Sequence, residues 1–254
     1  MEIKDTVVMI TGGASGLGES TADYLAQLGA KIVVLDINKQ DVLRVASLTK
    51  GLGVVCDVTS RASVTQALQQ AKERFGVPRV CINCAGILGG ERTVGRDGPM
   101  DLEHFRKIID IDLIGTFNVM SLALAEMIPL EPMGQTAERG VVINVASIAA
   151  YDGQIGQAAY SAAKGGVASM TLPVAREMGK FGIRIVCIAP GVFDTPMMEK
   201  ASEPIRAGLL ENAVFPHRFG KPEEFAKFVV TAISNPMLNG DVIRLDGAMR
   251  MPPR

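Results

Sequence analysis

Short, nearly continuous runs of apolar and β-branched residues alternate along this chain with longer segments whose apolar positions recur every three to four residues. The runs fall at Val7–Thr11, Ile32–Asp36, Gly53–Asp57, Val80–Asn83, Val141–Val145, Arg184–Ala189 and Val242–Leu245. Because most of them do not alternate with polar residues, they predict strands covered on both faces. The amphipathic segments near Glu19–Leu28, Gln40–Leu48, Ser63–Phe75, Leu102–Met127, Ala158–Phe181 and Glu223–Ser234 predict the covering helices. Strand and helix in regular alternation imply βαβ units, an α/β class and a parallel sheet. Local punctuation agrees: Gly29 follows the first helix as a C′ glycine, Ser60 is placed to cap the third, and Pro222 suits a first helical turn.

Two stretches break the alternation. Gly89–Asp101 is rich in glycine and charge, and Gly191–Lys221 carries Pro196, Pro204 and Pro216 among apolar side chains. Ligands of open parallel sheets bind beyond the carboxyl ends of the strands, so both stretches are candidate substrate-covering loops. No internal repeat or linker divides the 254 residues, a length that suits one α/β domain. With 26 Lys+Arg against 27 Asp+Glu and no run of five like charges, the chain lacks the footprint of a dedicated nucleic-acid binder. No apolar stretch is read as approaching the ~18 residues of a membrane span. The first residues run into an apolar strand without a signal-type core, so a cytoplasmic address is expected. Cys81 and Cys84 have CxxC spacing but no second cysteine pair or histidine cluster to complete a zinc site, and are read as buried strand thiols.

Thr11-Gly-Gly-Ala-Ser-Gly-Leu-Gly18 joins the first strand to the first helix. Gly12, Gly16 and Gly18 permit a sharp turn and close approach of backbone to a pyrophosphate, while Ser15 and Leu17 open a helix whose N–H groups face the same anion. A glycine cluster alone is equally compatible with a plain turn. Its context is not, because Asp36 ends the second strand where a carboxylate accepts hydrogen bonds from adenosine ribose hydroxyls and repels a 2′-phosphate. With no basic residue at 37 or 38, the reading is NAD rather than NADP. Asp57, with Val58 beside it, is a candidate adenine contact or a turn carboxylate, and the sequence leaves both open.

Among three tyrosines, Tyr160 stands four residues before Lys164 on one helix face, and Ser147 follows the fifth strand. Hydride transfer at a carbinol carbon needs a group that moves a proton near neutral pH. A phenol ionises near ~10, and a neighbouring ammonium stabilises the phenolate. Ser147 is placed to hydrogen-bond the same substrate oxygen, and Gln157 to line the cleft. The absence of a Gly-x-Ser-x-Gly elbow and the presence of only two histidines argue against a hydrolase.

Together TGGASGLG at 11–18, Asn83-Cys-Ala-Gly86, Ser147, YSAAK at 160–164, and Pro190-Gly191 followed by Thr195 resemble the short-chain dehydrogenase/reductase family over essentially the whole chain. The resemblance implies a single-domain Rossmann fold with a doubly wound seven-stranded parallel sheet, usually in a homotetramer. It also implies Ser147 as substrate-orienting group, Tyr160 as acid/base and Lys164 as its support. Asn83, Ala85 and Gly86 would lie on the adenosine side of the cofactor, and Pro190, Val192 and Thr195 around the nicotinamide. Asp112-Leu-Ile-Gly-Thr-Phe-Asn, Gly153–Tyr160 and Asn239–Ala248 are most similar to the branch that oxidises L-3-hydroxyacyl-CoA with NAD. A carrier-protein-linked 3-oxoacyl reductase, a hydroxysteroid dehydrogenase, and a non-catalytic scaffold such as an RNA-processing partner are the alternatives.

One position departs from the family pattern: Asp112 stands where the fourth catalytic member is normally Asn. In the family that residue sits at a helix kink and its main-chain carbonyl leads through water to the lysine. A carboxylate only accepts hydrogen bonds, and its charge near Lys164 favours the ammonium, so activity with an altered pH profile is expected. In the late loop Val192, Phe193, Met197, Met198, Leu209, Leu210, Val214 and Phe215 are candidates for an apolar lid or for core and subunit surface. Arg92, Arg96, Lys200 and Arg206 are either CoA-phosphate contacts or solvated surface charge.

Overall fold

The computed structural model describes residues 1–199 and 201–253. In chain order the elements are β1 (Val7–Thr11), α1 (Gly16–Gln27), β2 (Lys31–Asp36), α2 (Lys39–Thr49), β3 (Leu52–Val55), α3 (Arg61–Phe75), β4 (Val80–Asn83), β5 (Val94–Gly95), β6 (Gly98–Pro99), α4 (Leu102–Ile109), α5 (Thr116–Met127), β7 (Gly140–Val145), α6 (Ala158–Met178), β8 (Ile183–Pro190), α7 (Pro196–Glu199), α8 (Glu203–Glu211), α9 (Pro222–Ser234) and β9 (Val242–Leu245). Seven strands form one parallel sheet in the order β3-β2-β1-β4-β7-β8-β9, a single-domain Rossmann arrangement. The order reverses beside β1, where β4 pairs on the edge opposite β2, opening a crevice at the carboxyl ends of β1 and β4.

Continuous apolar runs are explained by the two cores they fill. Met9, Val33, Leu35, Cys81, Val142 and Ile185 face α3 and α5, whereas Val8, Ile10, Ile32, Val34, Ile82 and Ile143 face α1, α2 and α9. Each large apolar side chain withdrawn from water contributes roughly 1.5–3 kcal/mol, and the polar residues buried in the strands, such as Asn83 and Asn144, are hydrogen-bonded to each other. Helix ends follow the punctuation: Ser60 Oγ accepts from Ser63 N at 3.3 Å, and Gly29 takes a left-handed φ of 87° just beyond α1.

At the amino ends of the strands, Arg184 opens β8 and is buried. Its Nε donates to Glu138 Oε1 at 2.6 Å, and its terminal nitrogens donate to the carbonyls of Ala232, Ile233 and Leu238. The terminal amine of Met1 lies 3.2 Å from the second Glu138 oxygen.

Four expectations need correction. The third strand ends at Val55, because Asp57 folds into its own turn. The segment Leu102–Met127 is one helical run but is interrupted by a π-turn at Asp110–Gly115. An 18-residue window of that run has a mean hydropathy of 1.6, enough by length and composition for a membrane span, although half of the window is buried within the protein. The two loops also carry structure, the β5–β6 hairpin in the first and α7 and α8 in the second.

Candidate active site

The turn between β1 and α1 is built from glycine for steric reasons. Gly12 and Gly16 have φ of 61° and 53°, and a Cβ on Gly12 would lie 2.8 Å from the Ala85 nitrogen. A Cβ on Gly18 would run into the Gly12 carbonyl oxygen. Ala85 N donates to Thr11 Oγ1 at 3.2 Å, which ties the segment after β4 to this turn. Ser15 makes no side-chain cap, so the first-turn N–H groups of α1 stay available to an anion, while Leu17 packs into the core. Thr195, from the loop after β8, arches over the turn, with its Cβ 3.5 Å from the place a Gly16 side chain would occupy. Asp36 sits at the end of β2 and uses Oδ1 to accept from Asn38 N at 3.1 Å. This side-chain-free cradle, open helix terminus and strand-end carboxylate fit a dinucleotide.

Neighbouring candidates are engaged differently. Asp57 Oδ1 accepts from the nitrogen and hydroxyl of Thr59, at 2.9 and 2.7 Å. Val58 is buried against the π-turn, and its carbonyl accepts from Asn118 Nδ2 at 2.8 Å. Asn83 directs its amide across the sheet to Asn144 Oδ1 at 2.9 Å. Pro190 ends β8, and Val192 packs with Ile148 and Met249.

Tyr160 lies in the first turn of α6, and Lys164 follows one turn later with Nζ 5.7 Å from the tyrosine ring centroid. Lys164 Nζ donates to the Val145 carbonyl at 3.1 Å and stands 3.3 Å from Asp112 Oδ2. Ser147 follows β7, and its Oγ accepts from Ala149 N at 3.1 Å. Asp112 is fully buried, and its Oδ1 accepts from Ile87 N at 2.9 Å. Gly86 lets the backbone approach this pair, since a Cβ there would lie 3.0 Å from Asp112 Oδ2 and 3.2 Å from Lys164 Nζ. The Asp112 carbonyl accepts from Thr116 Oγ1 at 2.7 Å, and the Asp112 side chain itself reaches Lys164. Burial raises the Asp112 carboxyl above the usual range against the pull of Lys164 and Ile87 N–H. For Lys164 burial opposes the charge, but Asp112 and Tyr160 together outweigh it and the net shift is upward, so the ammonium persists.

A cavity of about 610 Å³ opens between Arg92–Val94 of the early loop and residues from Ala149 to Ala158, with Ser161 also in its lining; Ser147, Tyr160 and Lys164 do not line it. Gln157 lines it and accepts from Gln154 N at 2.9 Å, while Glu91 N donates to the Gly156 carbonyl at 2.9 Å. A second cavity of about 350 Å³, with Ile155, Ile205, Leu209 and Pro252 in its wall, adjoins it through Gln154 and Ile155. The lid candidates divide. Phe193 stacks edge-on against core Phe225 at 6.3 Å and Leu209 is buried, whereas Val214 and Phe215 are 65% and 81% exposed and Met197 is also exposed. Arg92 and Arg96 are exposed, Arg206 pairs with Asp194 at 3.5 Å, and Lys200 lies outside the described residues.

Sequence reasoning missed Arg244. Its guanidinium reaches Asp246 and Asp152 at 2.6 Å each and covers the Tyr151 ring at 5.4 Å, pinning the cleft wall to β9. A charged residue inside the short apolar run Val242–Leu245 was the available signal. The cysteines are chemically quiet: burial pushes the Cys81 thiol up to about 12 and the partly buried Cys84 in the same direction.

The family described as short chain dehydrogenase matches residues 6–206. The 3-hydroxyacyl-CoA dehydrogenase type-2 of Bos taurus is 47% identical over 258 residues, covering 99% of this chain and 97% of that protein. Its counterpart from Drosophila melanogaster is 46% identical, covering 99% of this chain and all of that protein (100%). The crystal structure of 3-hydroxyacyl-CoA dehydrogenase type-2 from Mycobacterium avium superposes with a TM-score of 0.92 at 40% identity, covering 98% of this chain and 97% of that one.

Proposed function

The chain belongs to the short-chain dehydrogenase family and is an oxidoreductase, and from that premise we propose that it moves hydride between NAD and the C3 carbinol of a 3-hydroxyacyl-CoA. The observation that carries the reading is the pairing of Tyr160 with Lys164, whose ammonium is held by the Val145 carbonyl at the end of β7 two residues before Ser147, together with the glycine cradle. The type-2 3-hydroxyacyl-CoA dehydrogenases, similar along almost their whole length, support the substrate class.

Gly12, Gly16 and Gly18 with the α1 terminus would hold the pyrophosphate, and Asp36 the adenosine ribose hydroxyls. The Asp36 carboxylate supports NAD, because a 2′-phosphate there would meet like charge without a basic partner at 37 or 38. When bound, the nicotinamide supplies the hydride acceptor in oxidation and the donor in reduction. Tyr160 Oη takes the C3 hydroxyl proton in oxidation and returns it in reduction. Ser147 Oγ hydrogen-bonds the same oxygen and fixes the carbon facing the cofactor. The ammonium of Lys164 stabilises negative charge on the phenol, and with one hydrogen bond to Val145 it keeps donors for the nicotinamide ribose. Exposed apolar Ile114, Phe117 and Leu172 support assembly into a homotetramer, which light scattering tests.

The deciding measurement is NADH absorbance during incubation with acetoacetyl-CoA, a β-ketoacyl carrier-protein thioester or a panel of oxidised steroids. Turnover of the CoA thioester, at least ten times faster with NADH than with NADPH, is expected. Asp36→Ala should erase about one to two orders of magnitude of that preference, as loss of a charge-assisted contact implies. No turnover of any substrate would replace the reading with a non-catalytic scaffold. Preference for the carrier thioester or steroid would replace the substrate.

A further inference from the structure

Resting on that reading, we infer that Asp112 is a positioning residue that holds a proton on the Tyr160–Lys164 pair and so sets the pH at which the enzyme can oxidise its substrate. Asp112 has no exposed surface and stands 3.3 Å from Lys164 Nζ, yet its Oδ2 makes no hydrogen bond. The contact is therefore chiefly one of charge. Its other oxygen is held by Ile87 N, and the π-turn at Asp110–Gly115 presents the side chain toward α6.

The remaining groups around Lys164 do not compete for this role. Cys84, just beyond β4, and Cys187, on β8, face it as thiols that burial keeps protonated. β7 offers only the Val145 carbonyl, and α6 itself offers the Tyr160 phenol. Among the described residues Asp112 is thus the one formal anion against the ammonium.

Loss of one proton leaves either phenolate beside ammonium or phenol beside amine, and both states carry one positive charge less. A fixed negative charge within a few ångströms disfavours both. Removing it lets the pair lose a proton at lower pH, whichever atom gives it up.

Asp112→Asn retains an oxygen for Ile87 N and removes the charge; Asp112→Ala removes both. In each variant the rising limb of 3-hydroxybutyryl-CoA oxidation should move toward acid by roughly one to two pH units, as expected for deleting a unit charge at intermediate dielectric. A readout free of catalysis accompanies it. Because each folded variant binds fewer protons than wild type between the two limbs, the melting-temperature gap to wild type should narrow as pH rises from 7 toward 10. Superimposable limbs for wild type and Asp112→Asn, or a gap independent of pH in either variant, would overturn the inference, and so would a shift confined to Asp112→Ala. If wild type fails to oxidise the thioester, the proposed substrate is wrong, while the melting series still decides the role of Asp112.

Discussion

Two buried acid–base pairs sit at opposite ends of the sheet and are used in opposite ways. At the amino end Arg184 donates to Glu138, to the Ala232 and Ile233 carbonyls in the last turn of α9 and to the Leu238 carbonyl beyond it, and Glu138 also meets the terminal amine. At the carboxyl end Lys164 makes a single protein hydrogen bond, while Asp112 Oδ2, like Glu138 Oε2, faces its cation without one. Burying charge is costly in both places. Where the cation is fixed by four hydrogen bonds, the pair fastens β8, the segment leading into β7 and the end of α9 together. Where capacity is left open, the pair faces the cleft and can serve a proton and a cofactor.

The largest effect that could break this contrast is catalytic. Tyr160→Phe should lower turnover of the thioester at least 10³-fold, the scale of a lost general acid–base, while the melting temperature moves by no more than a few degrees. Equal losses of activity and stability would mean that the carboxyl end is structural too. At the amino end the opposite split is expected. Arg184→Met leaves Glu138 short of its main partner, which costs about 3–5 kcal/mol and lowers the melting temperature by roughly 10 °C at this size. Turnover per folded molecule should stay near wild type in a scanning-calorimetry and kinetics comparison.

An exposed pair calibrates both. Arg218 donates twice to Glu224 at the start of α9 and holds that carboxyl down to about 2. A depressed carboxyl contributes stability above the ordinary carboxylate range and loses it as pH falls toward 2. With both side chains about two-fifths exposed, solvent screens the interaction. Glu224→Gln should therefore lower the melting temperature by only about 1–3 °C at pH 7, and the gap should narrow as pH is lowered to 3. A larger or pH-independent gap would mean that the helix cap, not the charge, is responsible.

Much of this was legible beforehand because it is local. The strand runs carry their burial in their own composition, and all seven lie in the one parallel sheet. Gly12 and Gly18 announce a turn that only glycine fits, and Tyr160 and Lys164 share a helix face by spacing alone. Asp57 reads as a cofactor contact or as a turn carboxylate, and its bonds to Thr59 show the turn. What could not be read was non-local. Phe193 reads as lid or as core, and only its packing on Phe225, remote in sequence, decides for core. The periodicity of the Leu102–Met127 run gives no sign of the π-turn at Asp110–Gly115, and only the family resemblance pointed to a kink at Asp112.

By itself the chain's order of residues determined the class of fold, the place of the nucleotide cradle and the tyrosine–lysine pair, since each follows from a period or spacing within one or two elements. Only the tertiary structure decided that Asp112 meets Lys164 by its side chain, that Arg184 finds Glu138 and the end of α9, and that Arg244 braces the cleft wall. Those pairings join residues tens of positions apart. Their worth depends on burial and on which hydrogen bonds remain unfilled, and neither exists until the elements are packed.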